Sequence, residues 1–572
     1  MEKINRLRRI FFEYDLDGYC VPKNDEYFCE YIPENKDRLK FISNFTGSFG
    51  FALILKNKNY LFVDGRYTLQ AKIQSKKLFR ILTFPNKFPS DILNKKELKI
   101  GFDPKLHTKK NLKIFFNKTN CKLIPIKDNL IDKIWNRTKK DNVKKFYILP
   151  EKVAGLNHSL KIKKLVNQLR SQESNFQLIT SSENIAWLLN IRGNDSKFTP
   201  VPNALLTIDN LKKINLFCNL KKINLSFKKK FNHIKFVDIK DIDIYLKEIK
   251  NKKVLLDVDT CSLHFESILK KKNEIISSSD PINFLKSIKS KVEIKNTIVS
   301  HIYDGVALTK FLFWLKKNYI NQNISEISAQ NKLLKFRKKN KNFKFLSFPT
   351  ISGSGPNASI IHYKASKKSN RKLKKGDVYL VDSGGQYNYG TTDVTRTISL
   401  NNNNSKIKNI FTRVLKGHIA VSRFKIKKNT NGAKIDIVAR KPLKEINLDY
   451  PHGTGHGVGY FLNVHEGPQA ISKYNKIIFK EGMIVSNEPG YYENGKFGIR
   501  IENLLNVVKM KKKLFFKNLT MAPIDKSLID KKILSKNEIN WLNNYHKNVF
   551  YKLKKYMNKS ELINLRRACS KF

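Results

Sequence analysis

Apolar residues in the first nineteen positions recur at helical spacing, with Leu7, Ile10, Phe11 and Leu16 on one stripe, and predict an amphipathic helix. Short apolar runs follow at 18–22, 51–56 and 61–64, the last leading through Asp64-Gly65-Arg66-Tyr67 into another helical stretch. Strands alternating with helices predict an α/β domain, which ends near 129–135. Residues 137–145 are charged and poorly patterned, as in a linker. A second unit then repeats the theme, with helices expected at 162–171 and 183–189 and strands at 176–180 and 204–207. No residue-level repeat joins the two units.

The texture changes from about residue 280. Ile294, Ile298, Ile302, Leu308, Leu312 and Leu315 mark a long amphipathic helix. Beyond it, glycine-punctuated strands fill 348–500, and the lysine-rich tail after Leu519 is helical, with Trp541 and Tyr545 four apart on one face. Three domains are expected: 1–140, 141–285 and 286–572, the last with a C-terminal helical extension.

Composition adds one question. Lys plus Arg number 111 against 48 Asp plus Glu, a formal net charge of +63, which invites a nucleic-acid or membrane-surface reading. Lysine outnumbers arginine by roughly five to one, however, and arginine is the side chain that reads guanine in bidentate fashion. The longest lysine runs, 228–230, 270–272 and 511–513, are short and scattered. The excess is therefore read as a solvated surface, with nucleic acid bound nonspecifically at most. A hydrophobic fraction of 41% with 38 Phe and 22 Tyr excludes a disordered basic tail. Cys20, Cys29, Cys121, Cys218, Cys261 and Cys569 form no CxxC or framework spacing and read as buried thiols in a reducing compartment. With no secretory h-region and no membrane-length apolar window, a cytoplasmic location is expected.

The unusual chemistry lies in three segments. In the first, β-rich runs flank a glycine-containing connection, so that a hairpin brings Asp382 and Asp393 to one face, where two carboxylates repel unless a cation lies between them. In the second, His452, His456 and His465 fall within one 14-residue window wrapped in glycine, which permits close backbone approach to a ligand. In the third, Glu488 precedes a Pro-Gly turn, and Arg500 and Glu502 are expected to share one face of a strand. Two Asp, two Glu and a His make an oxygen-rich set suited to a pair of hard or borderline divalent ions, Mn²⁺ in particular, that share one hydroxide as nucleophile.

The strings DSGGQYNYGTTDVTRT, HGTGHGVGYFLNVHEGP and NEPGYYENGKFGIRIEN resemble the Xaa-Pro aminopeptidases of three-domain cytosolic type, within the pita-bread metallopeptidases of family M24. The likeness extends to the DGRY of the first domain, to 184–195 in the second and to the tail around Pro523 and Trp541. It implies two creatinase-like N-terminal α/β domains before a C-terminal pita-bread catalytic domain. It further implies that Asp382, Asp393, His456, Glu488 and Glu502 ligate two divalent metals, and that Glu488 accepts the proton of the attacking water. His362, His452 and His465 match histidines that bind substrate and take part in catalysis, and Arg500 would hold Glu502 or a neighbouring carboxylate. The implied reaction is hydrolysis of the bond between an N-terminal residue and a following proline, by a homodimer joined through its C-terminal domain. Two alternatives carry different expectations. A prolidase-type dipeptidase would have one N-terminal domain, and a noncatalytic pita-bread binding protein would have lost ligands that are intact here.

Overall fold

The computed structural model describes residues 1–93, 97–137 and 143–572, which form two compact units, 1–283 and 284–572. Residues 138–142 of the expected linker, and with them the boundary at 140, lie outside the described residues.

In the first unit the opening helix forms over Glu2–Glu13 and buries Ile4, Leu7 and Phe11, while Phe12 points to solvent. A six-stranded sheet follows, built from Gly18–Pro22, Phe51–Leu55, Asn59–Asp64, Arg80–Phe84, Lys99–Phe102 and Lys122–Pro125. Phe51 and Leu53 enter one apolar cluster, and Ala52 and Ile54 the other. The two-residue period thus sends alternate side chains into cores on both faces, the arrangement of an α/β layer. A second six-stranded sheet comprises Phe176–Ile179, Leu205–Asp209, Ile214–Cys218, Ile234–Asp238, Lys253–Asp257 and Glu274–Ser278. When the strands of each sheet are counted in chain order, both run 4-3-2-1-5-6. In both, the second strand is antiparallel to the first and third, and the remaining pairs are parallel. The likeness read from the apolar pattern is one of topology. Of the six cysteines only Cys20, Cys218 and Cys261 are buried, the other three being partly exposed.

In the second unit the long helix runs over Lys291–Asn318, started by a capping box between Ser290 and Glu293. Strands Val378–Ser383 and Val394–Ser399 pair antiparallel with Asp382 opposite Thr395. The connection is more than the simple hairpin expected. Between these strands Gly385–Tyr387 and Gly390–Thr391 leave to pair with each other and with Phe343–Leu346 in a separate three-stranded sheet. A further six-stranded sheet carries Gly455–Gly457, Glu466–Ile471, Ile484–Asn487 and Asn503–Met510 among its strands. Asn487 pairs with Asn503, so Glu488 and Glu502, one step beyond, lie opposite each other at adjacent strand ends.

The tail packs back onto this core. Helix Lys536–Leu553 stacks Trp541 on Tyr545 with ring centroids 5.4 Å apart. Arg396, 1% exposed, donates to the carbonyls of Thr395, Glu502, Ala522 and Pro523, to Asn503 Oδ1 and to Tyr545 Oη. One guanidinium thereby joins the strand after Asp393, the backbone of Glu502 and the tail. No helix among the described residues is long and apolar enough to cross a membrane.

Two buried histidines tie acid stability to this docking. His546 Nε2 accepts from the Ile524 amide, and burial holds its pKa down to about 3. His418 donates from Nδ1 to the Asn487 carbonyl and is likewise held down to about 3 by burial. Both values lie below the unfolded value of 6.5, so their contribution is full above that pH and is lost as pH falls through it. Each is expected to cost about 2 kcal/mol of stability between pH 7 and pH 5. Urea unfolding of His546→Gln across that range should show a correspondingly shallower loss than the parent chain, and an unchanged slope would contradict the assignment.

Candidate metal centre

The glycines around the histidines have a specific use. A Cβ on Gly455 would lie 1.9 Å from the Ser486 carbonyl oxygen, and one on Gly457 would lie 2.2 Å from that of Glu466. These glycines serve strand-to-strand approach rather than the ligand approach anticipated from sequence. The tight packing sets His456 beside the strand Ile484–Asn487, just before Glu488. Its Nε2 stands 3.4 Å from Glu488 Oε1 and 3.5 Å from Asp393 Oδ2. Nδ1 contacts the Gly457 carbonyl at 2.9 Å, and because a carbonyl only accepts, Nδ1 carries the proton and Nε2 presents its lone pair to the carboxylates.

Asp393, His456 and Glu502 each offer a ligand atom within 4.8 Å of the others. Asp382 joins them through the guanidinium of Arg500, whose Nη2 lies 2.7 Å from Asp382 Oδ2. Asp382, Asp393 and Glu502 are all at least nine-tenths buried. Burial, then the charges of Asp382 and Glu488, push the Asp393 carboxyl well above its ordinary range. Glu502 is pushed up in the same direction by burial and then by Asp393, Glu488 and Asp382. Oδ1 of Asp382 and Oδ1 of Asp393 are buried without a hydrogen-bond partner. Crowded carboxylates with unused lone pairs and an imidazole nitrogen form a donor set that fits divalent cations.

The remaining residues singled out in the sequence surround this group. Arg500 and Glu502 do not share a strand, because Phe497–Arg500 ends before the chain crosses to the strand beginning at Asn503. They meet instead at the Thr395 hydroxyl, which accepts from Arg500 Nε at 3.1 Å and donates to Glu502 Oε2 at 2.8 Å. Arg500 Nη1 also donates to Tyr492 Oη at 2.6 Å, and Tyr492 Oη lies 3.0 Å from His452 Nε2. A continuous chain therefore runs from His452 through Tyr492 and Arg500 to Asp382. The ring of His465 packs edge-on against His456 with centroids 4.3 Å apart. His362 lies in a turn after the short helical segment Gly355–Ser359, and the carbonyl of its neighbour Ile361 accepts from Arg500 Nη2 at 3.4 Å. Sequence reasoning missed Thr395, Tyr492 and Ser486, whose hydroxyl donates to Glu488 Oε1 at 2.9 Å. Thr395 and Ser486 each stand two residues from a carboxylate, the period that places side chains on one strand face.

Comparison with known proteins gives this geometry its context. Residues 3–134 and 137–293 each match the creatinase/prolidase N-terminal domain, residues 298–509 match metallopeptidase family M24, and residues 512–572 match the C-terminal region of peptidase M24. These matches define a metallopeptidase with two creatinase-type α/β domains ahead of an M24 pita-bread domain. A probable Xaa-Pro aminopeptidase P from Laccaria bicolor is 37% identical over 603 residues, covering 100% of this chain and 93% of that protein. The crystal structure of the X-prolyl aminopeptidase from Caenorhabditis elegans, described as a cytosolic enzyme with a di-nuclear active site, superposes with a TM-score of 0.93 at 30% identity, covering 100% of this chain and 99% of its own. A prolidase from Thermococcus sibiricus, at 26% identity and a TM-score of 0.52, covers 64% of this chain. The chain belongs to the Xaa-Pro aminopeptidase family of M24 metallopeptidases.

The Thr395 hydroxyl orients Glu502 and Arg500 together, so Thr395→Val is expected to weaken divalent-metal binding, assayed with Mn²⁺, about ten- to a hundredfold, the usual effect of losing a hydrogen bond behind the groups of a metal site. Titration calorimetry on the metal-free chain reads this directly, and an unaltered Kd would remove Thr395 from the site.

Proposed function

We propose that the chain is a metal-dependent aminopeptidase that hydrolyses the bond between an N-terminal residue and a penultimate proline. The observation that carries this reading is the convergence of Asp382, Asp393, His456, Glu488 and Glu502, from three separate stretches of sequence, on one buried cluster. These five residues hold two divalent ions, with Mn²⁺ the ion best suited to so oxygen-rich a set. Such ions supply Lewis-acid polarisation of the scissile carbonyl and lower the pKa of an attacking water.

The chain's own groups do the rest. Glu488, oriented by the Ser486 hydroxyl, takes the proton of the attacking water. His362, His452 and His465 bind the peptide, stabilise the oxyanion that develops at the carbonyl and return a proton to the proline nitrogen. Arg500 fixes the Asp382 carboxylate and, through Tyr492, the ring of His452. Domain boundaries fall near 140 and 285. We place the enzyme in the cytoplasm as a homodimer acting on peptides, in contact with nucleic acid only nonspecifically. A dipeptidase of prolidase type is disfavoured by coverage, since the prolidase structure spans 64% of the chain and the X-prolyl aminopeptidase structure all of it.

Purified protein should release arginine from Arg-Pro-Pro in a Mn²⁺-dependent manner, and Asp393→Ala should abolish release. Cleavage confined to Xaa-Pro dipeptides, or full activity in Asp393→Ala, would refute the assignment.

A further inference from the structure

Glu326 opens the helix Glu326–Lys338 and is fully buried. Among the described residues no lysine or arginine side chain forms an ion pair with its carboxylate. Its oxygens accept instead from the Ser354 amide at 2.8 Å, Asn357 Nδ2 at 3.1 and 3.0 Å, Tyr363 Oη at 2.8 Å and the Arg371 amide at 2.9 Å. The backbone adds two links: the Glu326 amide donates to the Arg371 carbonyl at 3.0 Å, and Ser352 Oγ donates to the Glu326 carbonyl at 2.8 Å. Residues 354–371 are thus tied to one carboxylate at both ends and in the middle. His362 is the immediate neighbour of Tyr363, one of those ties.

The other side of the same loop rests on the hairpin that carries Arg500. The Gly495 amide donates to Ser359 Oγ at 3.3 Å, a Cβ on Gly498 would lie 1.8 Å from the Ala358 carbonyl oxygen, and Arg500 Nη2 donates to the Ile361 carbonyl at 3.4 Å. The loop is held between a buried carboxylate and the metal-centre hairpin.

We propose that Glu326 is a positioning residue whose carboxylate sets the 354–371 loop so that His362 stands beside Arg500 at the metal centre. This rests on the participation of His362 in the reaction described above. A buried carboxylate satisfied only by neutral donors is costly to keep, and an amide cannot take its place, because one of its two ends would turn a donor toward the Ser354 amide or toward the Tyr363 hydroxyl and Arg371 amide.

Two measurements test the proposal. Glu326→Gln is expected to lower kcat for Arg-Pro-Pro by about tenfold or more, the scale of a displaced catalytic group, with bound Mn²⁺ unchanged. In a His362→Ala background the same substitution should cost less than about twofold, because the two act through one group. Losses that multiply, or an unchanged kcat, would overturn the proposal. Amide hydrogen exchange across 355–371 reads the loop without any turnover and should accelerate in Glu326→Gln. Protection equal to that of the parent chain would also overturn it. Should Glu326→Gln fail to fold, Tyr363→Phe removes one donor, leaves the carboxylate in place and is read by the same two measurements. A parent chain without turnover would count against the proposed reaction alone, and exchange would still decide the role of Glu326.

Discussion

Four carboxylates, three of them buried, crowd one pocket, and that crowding is the constraint on which the catalytic unit depends. Like unit charges about 4 Å apart repel by about 4 kcal/mol at an effective dielectric constant of about 20. Asp382, Asp393, Glu488 and Glu502 press on one another in this way, with Arg500 as the guanidinium placed among them. Such a pocket is tolerable only if cations complete it and if the surrounding protein keeps the oxygens from rotating away. Burial and the same crowding raise the proton affinities of Asp393 and Glu502.

The surrounding protein does the second job with hydroxyls and backbone. The Thr395 hydroxyl bonds both Glu502 and Arg500, Ser486 steadies Glu488, and the Gly457 carbonyl fixes the tautomer of His456. Asp382 and Glu502 stand more than a hundred residues apart in the chain, so orientation is a property of the whole unit rather than of any one motif. This is also why glycine flanks His456, at points where neighbouring backbones must nearly touch.

Much of this was legible in the sequence, and the limits have physical causes. The two α/β layers followed from alternating apolar runs, and the shared strand order emerged only from pairing, which a single chain does not display. The ligand types could be named because Asp, Glu and His cluster against a lysine-rich background from which residues 379–397 and 452–468 are exempt. The turn carrying His362 lies within 348–500, where strands are expected, and the bonds that tie the loop around it to Glu326, more than thirty residues away, are beyond the reach of local pattern. Arg500 and Glu502 were placed on one strand by period alone, and the crossing between two sheets lies outside what period can convey. Thr395 and Tyr492 carry no charge to attract notice, and their roles depend on what lies across the sheet.

Arg396 gives the tail a particular standing. Its guanidinium lies out of water with only neutral acceptors, and Ala522, Pro523 and Tyr545 provide three of them. A premature stop codon before residue 519 would leave Asp382, Asp393, His456, Glu488 and Glu502 encoded and all three diagnostic strings intact. The shortened product would still read as an enzyme in a genome, yet it would carry a stranded cation against the backbone of Glu502. The tail is thus part of the catalytic unit's interior, since it completes the surroundings of a cation buried beside the Glu502 backbone.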